Sequence, residues 1–174
     1  MSHLTSGNAL GFLLTDTARL FRQFFERTVT ENGLGLTPGE VRALANAVRF
    51  RGSRQAVLAE RMGVEPMTLS AYLDRLEARG LIERSVDPAD RRAKIIQPTA
   101  AATEILHQLD PLFEKVYIQA TRGLAEDQID VMSECLRMIR ANLTSDGEIL
   151  AKLDLYAESV PAAAAEKTEA SGAA

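Results

Sequence analysis

The stretch that most constrains the fold runs from Gly52 to Pro98, where the chain is punctuated at short, regular intervals. Gly52-Ser53 breaks and restarts it, with Ser53 at an N-cap position. Val57, Leu58, Ala59 and Met62 then give a short helix one inward side, and Gly63 ends it. Three residues later Pro66 suits the first turn of another helix, which runs to about Arg79 and stops at Gly80. Two helices joined through Gly63-Val64-Glu65 have the size and punctuation of a helix-turn-helix. After Gly80 the period changes. Leu81–Val86 and Ala93–Gln97 read as short strands around the turn Asp87-Pro88-Ala89-Asp90. A two-stranded hairpin placed there is a wing.

The flanks are helical. Residues 8 to 31 carry Leu10, Leu13, Leu14, Leu20, Phe21, Phe24 and Phe25 at three- and four-residue steps. Thr37-Pro38-Gly39-Glu40 opens the next helix with an N-cap, a first-turn proline and a capping-box glutamate. A long helix follows from Thr99 as N-cap, with Pro111 expected to kink it, and a last one spans Glu126 to about Leu143. With no Trp and few aromatics, the apolar mass is Leu, Ala, Val and Ile, which favours helices over a β-sandwich. The terminal helices hold more apolar surface than a head of about 60 residues can cover. The expected architecture is therefore mainly α with a small β-hairpin wing. A winged helix-turn-helix over 37–98 would dimerise through the N- and C-terminal helices, 8–36 and 99–150. A monomeric bundle is the alternative. Residues 160–174 lack large apolar side chains and are expected to be disordered.

The net charge of −4 is unevenly spread. Arg49 to Lys94 holds ten Arg or Lys against seven Asp or Glu, a local balance of +3. The rest holds ten against seventeen, or −7. Phosphate binding needs only that local excess. On the second short helix Leu69, Leu73 and Leu76 must face the core. Met67, Ser70, Ala71, Asp74, Arg75 and Ala78 lie opposite, and Thr68 flanks them near the N-terminus. Small and hydroxyl residues let a helix lie close in the major groove, where Thr68 and Ser70 can reach bases or phosphate. Arg75 can contact guanine or phosphate, or pair with an acid. On the hairpin, Arg91 and Arg92 sit beside the turn, with Arg84 and Lys94 on the strands. A planar, weakly hydrated guanidinium suits the narrow minor groove. Asp90 would repel phosphate and makes sense as an internal partner for an arginine. Ser53, Arg54 and Gln55, opening the first short helix, complete the expected interface with double-stranded DNA. A salt-bridged, solvated hairpin remains the other reading for Arg84.

Catalytic and metal motifs are not evident. The histidines are His3 and His107, and no Gly-rich phosphate loop or nucleophile elbow occurs. Glu104, His107 and Asp110 could gather ligands on one helix, but an exposed polar face explains them equally well. No cofactor is expected. Met1–Gly11 lacks the pattern of a signal peptide and no apolar run reaches membrane length, so a cytoplasmic chain is expected. The single cysteine, Cys135, excludes an internal disulfide and reads as a buried packing residue.

Leu58-Ala59-Glu60-Arg61-Met62-Gly63, then Leu73-Asp74-Arg75-Leu76-Glu77-Ala78-Arg79-Gly80-Leu81-Ile82-Glu83-Arg84, then Asp87-Pro88-Ala89-Asp90-Arg91-Arg92-Ala93-Lys94 resemble the core of the MarR family. The family's Asp-x-Arg pattern falls on Asp90 and Arg92. The resemblance implies Arg92 as the minor-groove arginine, with Asp90 supporting it. It also implies an obligate dimer on a pseudo-palindromic operator, a repressor role in transcription, and release by a small aromatic or phenolic ligand. Ala71 departs from the basic residue many relatives carry. Pro98-Thr99-Ala100-Ala101-Ala102 departs from the usual Leu-Thr-x-x-Gly. No reactive Cys occupies the first helix, so thiol sensing at Cys135 is the lesser reading. A helical dimer that binds a protein or small molecule without touching DNA is the competing function.

Overall fold

The computed structural model describes residues 6–32, 34–147 and 149, so the expected tail at 160–174 lies outside the described residues. The elements run α1 (Ser6–Thr30), α2 (Pro38–Arg49), α3 (Gln55–Met62), α4 (Pro66–Ala78), β1 (Ile82–Val86), β2 (Lys94–Pro98), α5 (Ala100–Thr121) and α6 (Glu126–Leu143). The residues to Gly123 form one compact unit, and those from Leu124 a second. None of the described helices is long and apolar enough to cross a membrane.

Local chemistry sets the ends of the helices. At α2 the capping box is complete: the Glu40 amide donates to Thr37 Oγ1 at 3.3 Å and the Thr37 amide to Glu40 Oε2 at 2.8 Å. α3 ends at Gly63, whose φ of 61° lies in the left-handed region and lets its N–H reach the Ala59 and Glu60 carbonyls. Pro66 opens α4, as expected. Ser53 does not cap α3; Arg54 holds the N-cap position there. The backbone at Ser53 is pinned beside β2, with Ile96 N–H donating to Ser53 O and Gly52 N–H to Ile96 O, both at 3.0 Å. Its hydroxyl accepts from Arg61 at 3.1 Å, so it faces inward and only 8% of the residue is exposed.

β1 and β2 pair antiparallel, from Ile82 opposite Pro98 to Val86 opposite Lys94. Ile82 and Ile96 are buried with Leu44, Leu58, Leu69, Leu73 and Leu76. These side chains come from all five elements α2 to β2, and their burial makes α2–β2 one packed head. Thr99 stands at the N-cap of α5, yet its hydroxyl donates to the Gly80 and Leu81 carbonyls at 2.8 and 3.1 Å. It thereby fastens the entry of the long helix to the end of α4. α5 runs through Pro111 as one helix. Its inner face, Leu109, Leu112 and Val116, is buried, and Phe113 stacks on Phe25 of α1 with ring centroids 6.1 Å apart.

Only the C-terminal half of α1 is covered: Phe25 and Val29 are buried, whereas Phe12, Leu13, Leu20 and Phe21 are exposed. α6 buries none of its residues. Val131, Met132, Leu136 and Met138 are exposed, and so is Cys135, which corrects the expectation of a buried packing residue. The helical stripe containing it is real, but among the described residues nothing encloses that position.

One contact between α2 and α4 is unusually close. A Cβ added at Gly39 would overlap the ring of Tyr72, which also lies 5.6 Å from the Arg75 guanidinium carbon. Gly39→Ala should therefore cost about 1–3 kcal/mol in urea unfolding, the usual penalty for overpacking. In a Tyr72→Ala background the same substitution should cost far less. Equal costs in the two backgrounds would show that the helices do not meet this tightly.

Candidate nucleic-acid interface

Leu69, Leu73 and Leu76 are each 0% exposed, and together they set the rotation of α4 about its axis. The side opposite them is solvent-facing: Met67, Ala71, Asp74 and Ala78 are all exposed. Thr68, also exposed, lies on one flank and Ser70, half-buried, on the other.

Several arginines that sequence reasoning offers to DNA are engaged within the protein. Nε of Arg75 donates to Glu40 Oε1, although the Arg75 side chain stays 53% exposed. Burial pushes the Glu40 carboxyl up. Its bonds from the Thr37 amide and Arg75 outweigh that and hold it below the ordinary glutamate range. Arg75 thus pairs with an acid while presenting the far side of its guanidinium to solvent. Arg84 is more enclosed. It donates through Nε to Glu77 at 2.9 Å and through a terminal nitrogen to Glu77 and Asp74. Its bond to Glu77 raises its already high pKa, against burial, with Asp74 adding to the effect. Arg84 is thus salt-bridged between the hairpin and α4.

The wing is braced differently from expectation. Asp90 pairs with no guanidinium: its Oδ1 accepts the Arg92 amide at 3.0 Å and its carbonyl the Ala93 amide at 2.8 Å. A short carboxylate two residues before an amide closes an Asx turn more readily than it reaches an arginine head group. The carboxylate that takes an arginine is Asp87, buried at the root of the turn. It accepts from Arg54 Nε and, at 2.8 Å, from the Ala89 amide. The Ala89 amide, with Arg54, holds its carboxyl low despite burial. Arg54, half-exposed, therefore ties the start of α3 to the wing, and the half-buried Gln55 follows it. At the tip Arg91, Arg92 and Lys94 are exposed and carry no ion pair among the described residues.

Sequence reasoning missed Asp87 as a brace, although an Asp-Pro turn is the natural place for one. It also missed the burial of Glu40, which the capping box alone does not signal. Arg42 and Arg79 likewise serve the head: Arg42 donates to the Met62 carbonyl at 3.1 Å, and Arg79 to the Gly35 carbonyl. His107 and Asp110 meet at 3.3 Å on an exposed face, and the described residues contain no cluster able to hold a metal ion.

A helix-turn-helix with an outward α4 and a cation-tipped hairpin is the winged class of nucleic-acid-binding fold. The MarR family profile matches residues 36–94. A solved structure described as MarR is 30% identical, covering 82% of this chain and 95% of that one, with a TM-score of 0.67. A cysteine-to-serine mutant of MarR from E. coli, complexed with operator DNA, is 19% identical over 80% of this chain and 99% of its own, with a TM-score of 0.62. BpsR of Bordetella bronchiseptica, described for regulation of its DNA binding by 6-hydroxynicotinic acid, is 21% identical over 76% and 98%, again at 0.62. The chain belongs to the MarR family of transcriptional regulators.

The Glu40–Arg75 pair makes the head acid-sensitive. Glu40 titrates lower in the folded chain than in the unfolded one. Its stabilising contribution is then complete above the unfolded value and disappears as pH falls through the folded one. Between pH 7 and pH 3 the wild type should lose more thermal stability than Glu40→Gln. Parallel melting curves across that range would remove Glu40 from the acid response.

Proposed function

We propose that the chain is a dimeric, sequence-specific DNA-binding repressor, acting in the cytoplasm and released from a pseudo-palindromic operator by a small aromatic or phenolic ligand. The observation that carries this reading is the pairing of an outward α4 with a wing whose tip cations carry no ion pair among the described residues. Thr68, Ser70 and the free edge of Arg75 enter the major groove. Arg92, aided by Arg91 and Lys94, enters the minor groove. Arg54 and Gln55 face the backbone at the start of α3. Ser53, Arg84, Asp87 and Asp90 shape the surface from within. The operator complex of the E. coli relative supports the DNA partner, and the description of BpsR supports control by an aromatic acid.

In this reading residues 37–98 are the reading head and 8–36 with 99–150 the dimer domain. The exposed apolar residues of α1 and α6 supply the surface for a second copy. An inducer bound between the head and helices α1 and α5 can change the spacing of the two heads. It acts only if it prefers the spacing that does not fit DNA.

Arg92→Ala should weaken operator binding by about 1–3 kcal/mol and flatten its salt dependence, with the assembly unchanged in sedimentation. Unaltered affinity in a gel shift would take the wing out of the mechanism. The dimer is tested separately. The wild type should sediment as two copies, and Met132→Asp combined with Leu136→Asp should shift it to one. A wild-type monomer at micromolar concentration would end the two-headed scheme.

A further inference from the structure

The outermost line of α4 carries no side-chain hydrogen-bond donor, and its one acceptor is Asp74. At about 100° per residue, Met67, Ala71, Asp74 and Ala78 fall within about 60° of one another, directly opposite the buried leucines. Met67 is 81% exposed, the most exposed of the large apolar side chains in the described residues. Asp74, the one charged group on this line, is paired with Arg84, which it shares with Glu77. Arg75 lies to one side with its Nε committed to Glu40. A helix that reads guanine needs a donor fork on this crest, and none stands there. What the crest does offer is a thioether chain beside an alanine methyl, a soft apolar strip.

We infer that Met67 and Ala71 are specificity-determining residues that recognise thymine through its 5-methyl group in the major groove. The inference rests on the DNA-binding reading above. A·T pairs present that methyl in the major groove and no other base pair does, so an apolar crest discriminates by contact alone. It also requires close approach, and Ala71, with no long side chain, permits it. Thr68, one step round the helix, can add a hydroxyl contact at the same base pair without displacing the methyl.

The test uses the full chain and duplexes selected by it from random DNA. Each thymine of the selected half-site is replaced in turn by uracil, which pairs identically but lacks the methyl, and affinity is read by fluorescence anisotropy. At one or two positions uracil should weaken binding about fourfold, the value of one buried methyl. Met67→Ala, which preserves helix propensity, should weaken binding to the thymine duplex and bring the thymine-to-uracil ratio at one of those positions close to one. Arg92→Ala should weaken both duplexes alike and leave that ratio intact. Equal wild-type affinity for all thymine and uracil duplexes overturns the inference, and so does a ratio that survives both Met67→Ala and Ala71→Gly. If those duplexes are nevertheless bound tightly, the DNA-binding reading stands without it. Failure to select any DNA sinks both.

Discussion

The rest of the head depends on the burial of Leu69, Leu73 and Leu76 against Leu44, Leu58, Ile82 and Ile96. Three leucines at 0% exposure leave α4 no freedom to roll, since any rotation would lift one of them into water. Full exposure of a leucine costs roughly 1.5–3 kcal/mol. The identity of the outward side chains is thus decided by the core and not by the surface residues themselves. The same leucines lock the hairpin, because Ile82 and Ile96 pack into the cluster from β1 and β2. α4 and the wing are consequently two projections of one hydrophobic core.

Electrostatics then sorts the cations. Arg42, Arg54, Arg61, Arg75 and Arg84 each bond to another part of the head, and Arg79 to the Gly35 carbonyl just before it. Most of these bonds join segments remote in sequence, such as α3 to the wing through Arg54–Asp87 and α2 to α4 through Glu40–Arg75. Buried acceptors such as Glu40 and Asp87 make the pairs costly to break, since removing the arginine strands a carboxylate. The local excess of positive charge therefore overstates what solvent meets. At the wing tip Arg91, Arg92 and Lys94 are exposed and carry no ion pair among the described residues. A positive tip against a partly neutralised body is a sharper electrostatic feature than a uniformly basic domain.

Local signals made the element order legible. The Thr37–Glu40 box, Pro66 and the left-handed Gly63 and Gly80 act within a few residues, so each can be read from its neighbours alone. The leucine period fixed the inward face of α4 for the same reason. Long-range partners were not legible. Arg54 and Asp87 are 33 residues apart, and Arg75 and Glu40 are 35 apart. No periodicity connects such positions, and a propensity argument treats every arginine as equally available. Ser53 illustrates the conflict within one residue: its type suits an N-cap, but pairing with Ile96 requires an extended backbone and prevails. Asp90 was placed correctly at the turn, yet its chemistry turned out to be that of an amide acceptor. Cys135 failed for another reason. A helical stripe predicts that a face will be covered, not by which chain.

The asymmetry between head and flanks bears on how such a molecule can respond to a ligand. Inside the head, the capping box, the two buried carboxylates and the isoleucine–leucine core all favour one arrangement, so reshaping α4 or the wing would disrupt several of them together. Outside it, α6 and the N-terminal half of α1 bury little within the single chain and gain their enclosure only from whatever covers them. Conformational change is least costly where fewest contacts must be exchanged. In the proposed dimer the adjustable quantity is then the spacing between two unyielding heads, and a ligand of modest affinity suffices if it favours one spacing. A ligand that worked by deforming the wing would have to overcome the Asp87 and Asp90 bonds as well, a far larger demand on a small aromatic acid.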